Sequence, residues 1–182
     1  VYRLFGLIRS TESALRFNFS LLGQHFGTAR DPVRLLKEIL LGLAYPNRAL
    51  DVKGTNHVRL FVCILRCAAA LDGKISRDEI VIGPMSMTDD RAEHEFQVLI
   101  RRLKKLRASQ GGIESAIEEL SRRIGITTNT MRNYTRIPLG ALLWTGWTVK
   151  EDDYLKLTEE GRSVLRMANT ARDIRLDDFD SL

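Results

Sequence analysis

Hydrophobic and polar positions alternate near both ends of the chain, and each alternating stretch leads into a helix-like one. The first, YRLFGLIR-STES-ALRFNF, has two apolar runs on either side of a polar turn. The second, LLWTGWTV-KEDD-YLKLT, has the same arrangement and continues into EEGRSVLRMA. Alternation around a short polar turn is typical of a β-hairpin. We therefore predict hairpins around residues 4–19 and 146–157.

Two stretches in the first half of the chain have apolar positions at helical spacing. One starts with Pro32 in the first helical position and keeps its leucines on one stripe until Pro46 stops it. The other, HVRLFVCILRCAAAL, is strongly apolar and ends at Gly73. Ser76 and Glu79 then have the spacing of a capping box, which predicts a short helix through IVIG. The turn-rich segment PNRALDVKGTN is interpreted as a linker between two units.

Further helices are predicted in the second half. RAEHEFQVLIRRLKKL follows a cap at residues 88–90, and IESAIEELSRRIG, with glutamates early and arginines late, ends at Gly125. The next helix starts at residues 127–130. We expect Pro138 to kink or restart it, because a proline ring clashes with the preceding turn. The last helix, GRSVLRMANTAR, follows the second hairpin.

The order strand, turn, strand, helix occurs at both ends of the chain, which indicates two related units. The predicted fold class is mainly α with small β-hairpins, arranged as tandem winged helix-turn-helix units of which the first is truncated. The chain begins at Val1 with the pattern of the middle of a folded element, so we expect a fragment. The expected organisation is the wing and helix of a first winged helix at 1–45, a linker at 46–56, a second winged helix at 57–170 with a helical insertion at about 89–125, and an acidic tail at 171–182.

Composition favours a polyanionic partner. The chain of 182 residues has 28 Lys and Arg against 23 Asp and Glu, a formal net charge of +5 and a pI of about 9.5. Basic proteins gain affinity for nucleic acids by releasing counterions from phosphates. No apolar run has the roughly 20 residues of a membrane span and no signal peptide is visible, so we expect a cytoplasmic protein without a membrane partner. Cys63 and Cys67 are interpreted as core residues.

The residues that we expect to contact DNA are concentrated around the helix start at 127–130. A helix in the major groove needs short donors for phosphates and forked donors for base edges; arginine pairs with guanine and asparagine with adenine. Two lysines of the second hairpin are added as phosphate contacts. The alternative interpretation is an ordinary capped helix with a solvated basic face. The candidate DNA-binding residues are Arg122, Arg123, Thr127, Thr128, Asn129, Thr130, Arg132, Asn133, Arg136, Lys150 and Lys156.

A second basic run extends from Arg101 to Arg107, on the helix that precedes Gly111. Leu99, Leu103 and Leu106 recur at helical spacing toward the core, so the basic residues are interpreted as solvated surface. Contact with a DNA or RNA backbone is the alternative.

No catalytic centre is predicted in these residues. A nuclease of the common metal-dependent class needs acidic residues and a lysine on strands that hold a divalent cation. Asp51-Val52-Lys53 matches the local triplet, but it lies in the linker and is interpreted as accidental. The three histidines are scattered, and no serine lies in a G-x-S-x-G context. We therefore expect no cofactor in this segment.

Three stretches resemble the recognition regions of type IIS restriction and nicking endonucleases, of the AlwI and FokI kind. The segment YLKLTEEGRSVLRMA, which begins at Tyr154, is similar to the wing strand and closing helix of their winged helices. The stretches from Arg30 to Pro46 and from Arg59 to Ile80 are similar to the same proteins in order and spacing. The resemblance covers most of residues 4–170.

This resemblance implies a sequence-specific double-stranded DNA recognition segment of a type II endonuclease, whose separate Mg²⁺-dependent cleavage domain is absent from this chain. Residues 127–136 would match the family's recognition helix, although Pro138 and Gly140 interrupt a helix that is longer in the family. Two alternatives stay open: a winged-helix transcriptional regulator that binds a palindromic operator as a dimer, and a winged-helix protein-interaction module.

Overall fold

The computed structural model describes residues 5–10, 16–45 and 58–170. These residues belong to two compact units: unit 1, which runs up to Arg59, and unit 2, which begins at Leu60. Helices predominate in the described ranges, and the strands are short and antiparallel. The fold is therefore mainly helical with a small β component, as the sequence predicts.

Unit 1 starts with a pair of antiparallel strands at the first predicted hairpin. Ile8 pairs with Phe19, and residues 11–15 between the strands lie outside the described residues. Asp31 caps the second helix, because its Oδ1 accepts a hydrogen bond from the N–H of Arg34 at 2.9 Å. The elements of unit 1 are β1 (Ile8–Ser10), β2 (Phe17–Phe19), α1 (Leu21–Thr28), α2 (Pro32–Gly42), β3 (Ala44–Tyr45) and β4 (Val58–Arg59).

Unit 2 is built around an apolar helix that is buried from Leu60 to Ala68. Apart from Arg66, whose guanidinium binds the Asp90 carbonyl and Glu93, its buried residues are apolar, as expected for a core helix. Cys63 and Cys67 are buried there as free thiols, and burial raises the pKa of Cys67 well above its ordinary value. The elements of unit 2 are α3 (Leu60–Ala70), β5 (Lys74–Ser76), α4 (Arg77–Ile82), a 3-10 turn (Pro84–Ser86), α5 (Glu93–Ala108), α6 (Gly112–Ile124), α7 (Thr128–Tyr134), α8 (Arg136–Trp144), β6 (Thr148–Glu151), β7 (Tyr154–Leu157) and α9 (Glu159–Thr170).

The sheet of unit 2 has three antiparallel strands in the order β5-β7-β6. The second predicted hairpin, β6–β7, is present and turns at Asp152, whose φ is 52°. Its second strand lies in the middle, because Leu155 is opposite Ile75 on one side and Lys150 on the other. β5 was not predicted from the sequence, since a strand of three residues that ends at the capping serine is too short to show alternation.

The predicted capping box is confirmed, and it is linked to a helix far along the chain. Glu79 N–H donates to Ser76 Oγ, and Ser76 N–H donates to Glu79 Oε2. The guanidinium of Arg107 on α5 binds both carboxylate oxygens of Glu79, at 2.5 and 2.9 Å, and also donates to the Leu71 carbonyl. The interpretation of Arg107 as solvated surface was therefore wrong: it joins α5 to α4 and to the end of α3.

α5 starts later than predicted. Residues 88–90 do not cap it; Ala92 occupies the N-cap position and makes no side-chain hydrogen bond there. The reason is a local turn, in which the carboxylate of Asp89 accepts from the backbone N–H of Arg91 at 2.8 Å. The helix therefore begins at Glu93.

The helix break near Pro138 was predicted in the wrong place, because α7 ends before Thr135 and α8 begins at Arg136. The Arg132 carbonyl accepts hydrogen bonds from the backbone N–H of Thr135, the hydroxyl of Thr135 and the guanidinium of Arg77. These donors compete with the N–H of Arg136, which would bind this carbonyl in a continuous helix. Pro138 is the third residue of α8. A proline in the first turn lowers the stability of a helix only slightly, since N–H groups in that turn have no hydrogen-bond partner within the helix.

Candidate functional site

Two helices of unit 2, α6 and α7, are joined by a turn of three residues. Gly125 takes a left-handed conformation with φ 69° and lets the chain reverse after α6. Ser121 Oγ then donates to the Ile126 carbonyl at 2.7 Å. Thr127 caps α7, because its Oγ1 accepts from the N–H of Thr130 at 3.2 Å. The turn is therefore fixed by side-chain hydrogen bonds on both sides.

The α7–α8 segment buries one side and exposes polar residues on the other. Met131 and Thr135 are buried, whereas Asn129, Asn133 and Arg136 are exposed. Residues four and three positions apart lie on the same face of a helix. The side chains of Asn129 and Asn133 therefore lie on one face of α7, and Arg136 is exposed just beyond the break, at the start of α8. Their amide and guanidinium groups can donate hydrogen bonds of the kind that base edges accept.

Arg132, a fourth candidate on this helix, has a different environment. Its Nε and Nη2 donate to the two carboxylate oxygens of Asp78 on α4, at 2.7 and 2.6 Å. This hydrogen bonding raises the pKa of Arg132 above its ordinary value. Arg132 therefore joins α7 to α4 through Nε and Nη2, and it is half-buried, unlike the exposed Asn133 and Arg136.

Arg77, the neighbour of Asp78, binds the same part of α7, but its side chain contacts the backbone of α7. Its guanidinium donates to the Arg132 carbonyl and, at 2.9 Å, to Thr135 Oγ1. Two consecutive residues at the start of α4 therefore fix the C-terminal end of α7. Neither role was predicted from the sequence, where the only signal was the position of both residues in the first turn of a capped helix.

The threonine candidates lie at the N-terminal end of α7. Thr127 and Thr130 hydroxyls are 2.9 Å apart and hydrogen-bond to each other. Thr128 and Thr130 are half-buried, and Thr127 is exposed. Arg122 and Arg123 are exposed in the last turn of α6, just before the connecting turn.

The hairpin β6–β7 carries the two candidate lysines in different settings. Lys156 Nζ forms an ion pair with Glu151 Oε1 at 3.1 Å across the hairpin. Lys150 is exposed and lines a cleft of about 570 Å³. Arg132 lines the same cleft, so one lysine of the hairpin and one residue of α7 lie at a single cleft. The other residues that line this cleft include Ser76, Arg77, Asp78, Leu139, Leu143 and Tyr154.

The second basic run stays exposed apart from its last residue. Arg101, Arg102, Lys104 and Lys105 are exposed on α5, and Arg107 is bound to Glu79. None of the four exposed residues lines the cleft beside α7.

The described helices include none long and apolar enough to cross a bilayer. In the same ranges no group of three or more His, Cys, Asp or Glu side chains is placed to hold a metal ion. The triplet Asp51-Val52-Lys53 lies outside the described residues.

No known family model matches the chain, and no curated protein is significantly similar to it in sequence.

Proposed function

We propose that unit 2 is a winged helix that binds duplex DNA, with α7 and the start of α8 in the major groove and the β6–β7 hairpin as the wing. The observation that carries this proposal is an exposed row of three side chains: Asn129 and Asn133 on α7, the helix that directly follows the tight turn at Gly125, and Arg136 at the start of α8. Helix-turn-helix proteins read base edges from the N-terminal part of the second helix of such a pair.

The connectivity of unit 2 supports the winged-helix part of the proposal. The order is helix (α3), strand (β5), helices, strand (β6), strand (β7), and the first strand pairs with the last. A winged helix has the same order, with its sheet closed by the strand that follows the first helix. In this arrangement α6 and α7 are the helix-turn-helix pair. An insertion at about residues 89–125, which would pair α4 with α7 instead, stays a prediction.

The chemistry of the exposed row supports duplex recognition over a merely solvated face. Asparagine donates and accepts at the adenine edge, and arginine donates two hydrogen bonds to guanine. The net charge of +5 adds long-range attraction to phosphates. Arg132 fixes the orientation of α7 through its bond to Asp78, and its contact with DNA stays a prediction.

The resemblance to type IIS restriction and nicking endonucleases extends the proposal to the parent protein. We infer a cytoplasmic restriction enzyme in which this segment selects the DNA site and a separate domain, with Mg²⁺, supplies hydrolysis. The support for this extension is the similarity of the three stretches named above.

A selection experiment on randomised duplexes tests the proposal. The 182-residue chain is expected to enrich a defined set of base pairs. Asn129→Ala, Asn133→Ala and Arg136→Ala should each relax the preference at one position and cost about 1–3 kcal/mol of binding free energy.

Glu119→Ala, on the exposed surface of α6, is the matched control and should leave the preference unchanged. If the chain binds no duplex, or if the three substitutions in the exposed row change neither affinity nor preference while the fold is retained, the proposal is wrong. The exposed run on α5 would then be the next surface to test.

A further inference from the structure

One side of α5 carries a concentrated basic charge. Arg101, Arg102, Lys104 and Lys105 are exposed, and their side chains form no hydrogen bond or ion pair with the residues that the structure describes. No acidic residue occurs in the stretch 96–113, whereas α2, α6 and α9 each carry both acidic and basic residues. We refer to these four exposed side chains as the outer face of α5.

This concentration of charge works against the helix that carries it. Residues three or four positions apart are neighbours on a helix, so Arg101 lies next to Lys104 and Lys105, and like charges at these spacings destabilise the helix. The helix dipole favours basic residues only in the last turn, where Lys105 and Arg107 lie. The dipole therefore does not account for Arg101 and Arg102. An anionic partner on this side of α5 would remove the repulsion.

The outer face lies opposite the buried side of the helix. Leu103 is fully buried, and its side chain lies against Gly83 at the C-terminal end of α4. Arg101 and Lys105 are each two positions from Leu103, which is about 200° around a helix of 3.6 residues per turn. α5 also packs on α6, and both α4 and α6 pack on α7. The outer face therefore points away from the two helices against which α7 packs.

The chemistry of the outer face fits the backbone of a duplex. Four cations on one side of a helix attract a polyanion and release its counterions. α5 exposes no Phe, Tyr or Trp side chain, so it offers no aromatic surface on which unpaired bases stack. Contacts with phosphates alone hold a duplex without reading its sequence.

We propose that the outer face of α5 binds the phosphate backbone of a second DNA duplex segment, so that unit 2 holds one segment at α7 and another at α5. The two segments are separate, because the outer face points away from the helices that support α7. This inference rests on the proposed function, which supplies the first segment. It adds that the chain bridges two duplexes.

A bridging assay with the 182-residue chain tests the proposal. A duplex that contains the sequence enriched by selection is fixed to beads, the chain is bound to it, and a labelled duplex of unrelated sequence is added. The chain should capture the labelled duplex on the beads. Capture should fall as the salt concentration rises, because it depends on phosphate contacts.

Two variants with the same net charge separate the outer face from the overall charge. Both lose four positive charges, which lowers the net charge from +5 to +1 (5 − 4). Glutamine is the replacement, because it keeps a high helix propensity. The outer-face variant combines Arg101→Gln, Arg102→Gln, Lys104→Gln and Lys105→Gln. The control variant changes exposed arginines of other helices and of the α1–α2 connection, and combines Arg30→Gln, Arg34→Gln, Arg162→Gln and Arg166→Gln.

The outer-face variant should keep its base preference and its melting temperature but capture at least about tenfold less of the labelled duplex, whereas the control variant should capture as much as the unmodified chain. Equal capture by the outer-face variant would overturn the proposal, since two copies of the chain, each with α7 on one duplex, would then form the bridge. Equal loss in both variants would overturn it as well, because net charge alone would then hold the second duplex. Retained base preference without any capture by the unmodified chain refutes the second site alone, whereas failure of the selection refutes the proposed function.

Discussion

Asp78 and Arg132 form a two-pronged ion pair that connects the start of α4 to the exposed α7, with both N–O distances below 2.8 Å. The pair is 54 residues apart in the chain and half-buried. Charge-assisted bonds to both oxygens of a carboxylate fix orientation as well as distance. Asp78 therefore controls how α7 presents Asn129 and Asn133.

The first prediction is that Asp78→Asn lowers the free energy of unfolding by about 1 kcal/mol and broadens the base preference of the chain. Loss of the carboxylate charge weakens the pair and lets α7 move relative to α4. Urea unfolding and duplex selection are the measurements. Glu151→Gln removes the more exposed pair with Lys156 and should change the unfolding free energy by no more than about 0.5 kcal/mol. An Asp78→Asn variant with unaltered stability and preference would show that the pair does not position α7.

Local features of this fold were predictable from the sequence because their partners are close in the chain. Ser76 and Glu79 are three residues apart, and the capping box that they form follows from that spacing alone. The β6–β7 hairpin likewise follows from apolar alternation around KEDD. The exposure of Asn133 on α7 also agrees with a polar residue on the outer face of a capped helix.

The roles of individual arginines were not predictable, because distant contacts determine them. The sequence groups Arg132 with the DNA-reading candidates and Arg107 with solvated surface. In the fold, each binds a carboxylate on α4, and that carboxylate lies 54 or 28 residues away. Helical spacing gives the face on which a residue lies but not what packs against that face. The break at Thr135 was misplaced for the same reason, since Arg77 contributes to it.

The second prediction concerns the close approach of Gly161 to the Trp147 carbonyl. Gly161→Ala should destabilise unit 2 by about 1–3 kcal/mol, because the added methyl group overlaps a backbone atom that cannot rotate away. Gly140→Ala is the control within a helix: no atom lies within 4 Å of its Cβ position, and alanine should stabilise α8 by up to about 1 kcal/mol. Thermal and urea unfolding of both variants provide the comparison. Equal effects of the two substitutions would contradict the packing argument.

The third prediction is a pH dependence from Glu79, which is 1% exposed. Burial alone would raise the pKa of Glu79, but hydrogen bonds from Arg107 and Ser76 and the charge of Arg107 outweigh it and lower the pKa below its ordinary value of 4.5. A lowered pKa means that the folded state favours the ionised form. The stabilisation that ionised Glu79 contributes is therefore complete at pH values above its ordinary pKa. It is lost as the pH falls through the lowered pKa of the folded state.

The free energy of unfolding of the Glu79→Gln variant, measured from neutral pH to below pH 4.5, tests this prediction. At neutral pH the variant should be less stable than the unmodified chain by about 2 kcal/mol, because Arg107 loses a charged partner. The difference should shrink as the pH falls below 4.5, since protonation then removes the charge from Glu79 as well. Glu119→Gln, on the exposed surface of α6, should show no such trend. A difference that stays constant with pH would mean that ionisation of Glu79 does not stabilise the fold.

The last prediction separates the two lysines of the proposed wing by the salt dependence of duplex binding. A side chain that neutralises one phosphate contributes a slope of about −0.9 to log affinity against log salt concentration. Lys150 is exposed beside the cleft, so Lys150→Ala should reduce the slope by about that amount and weaken binding equally for all sequences. Lys156→Ala should have a smaller effect, because Glu151 already neutralises Lys156. Glu151→Gln should release Lys156 and steepen the slope. If neither Lys150→Ala nor Lys156→Ala changes the slope but binding stays sequence-specific, these lysines do not contact phosphates and the prediction is wrong.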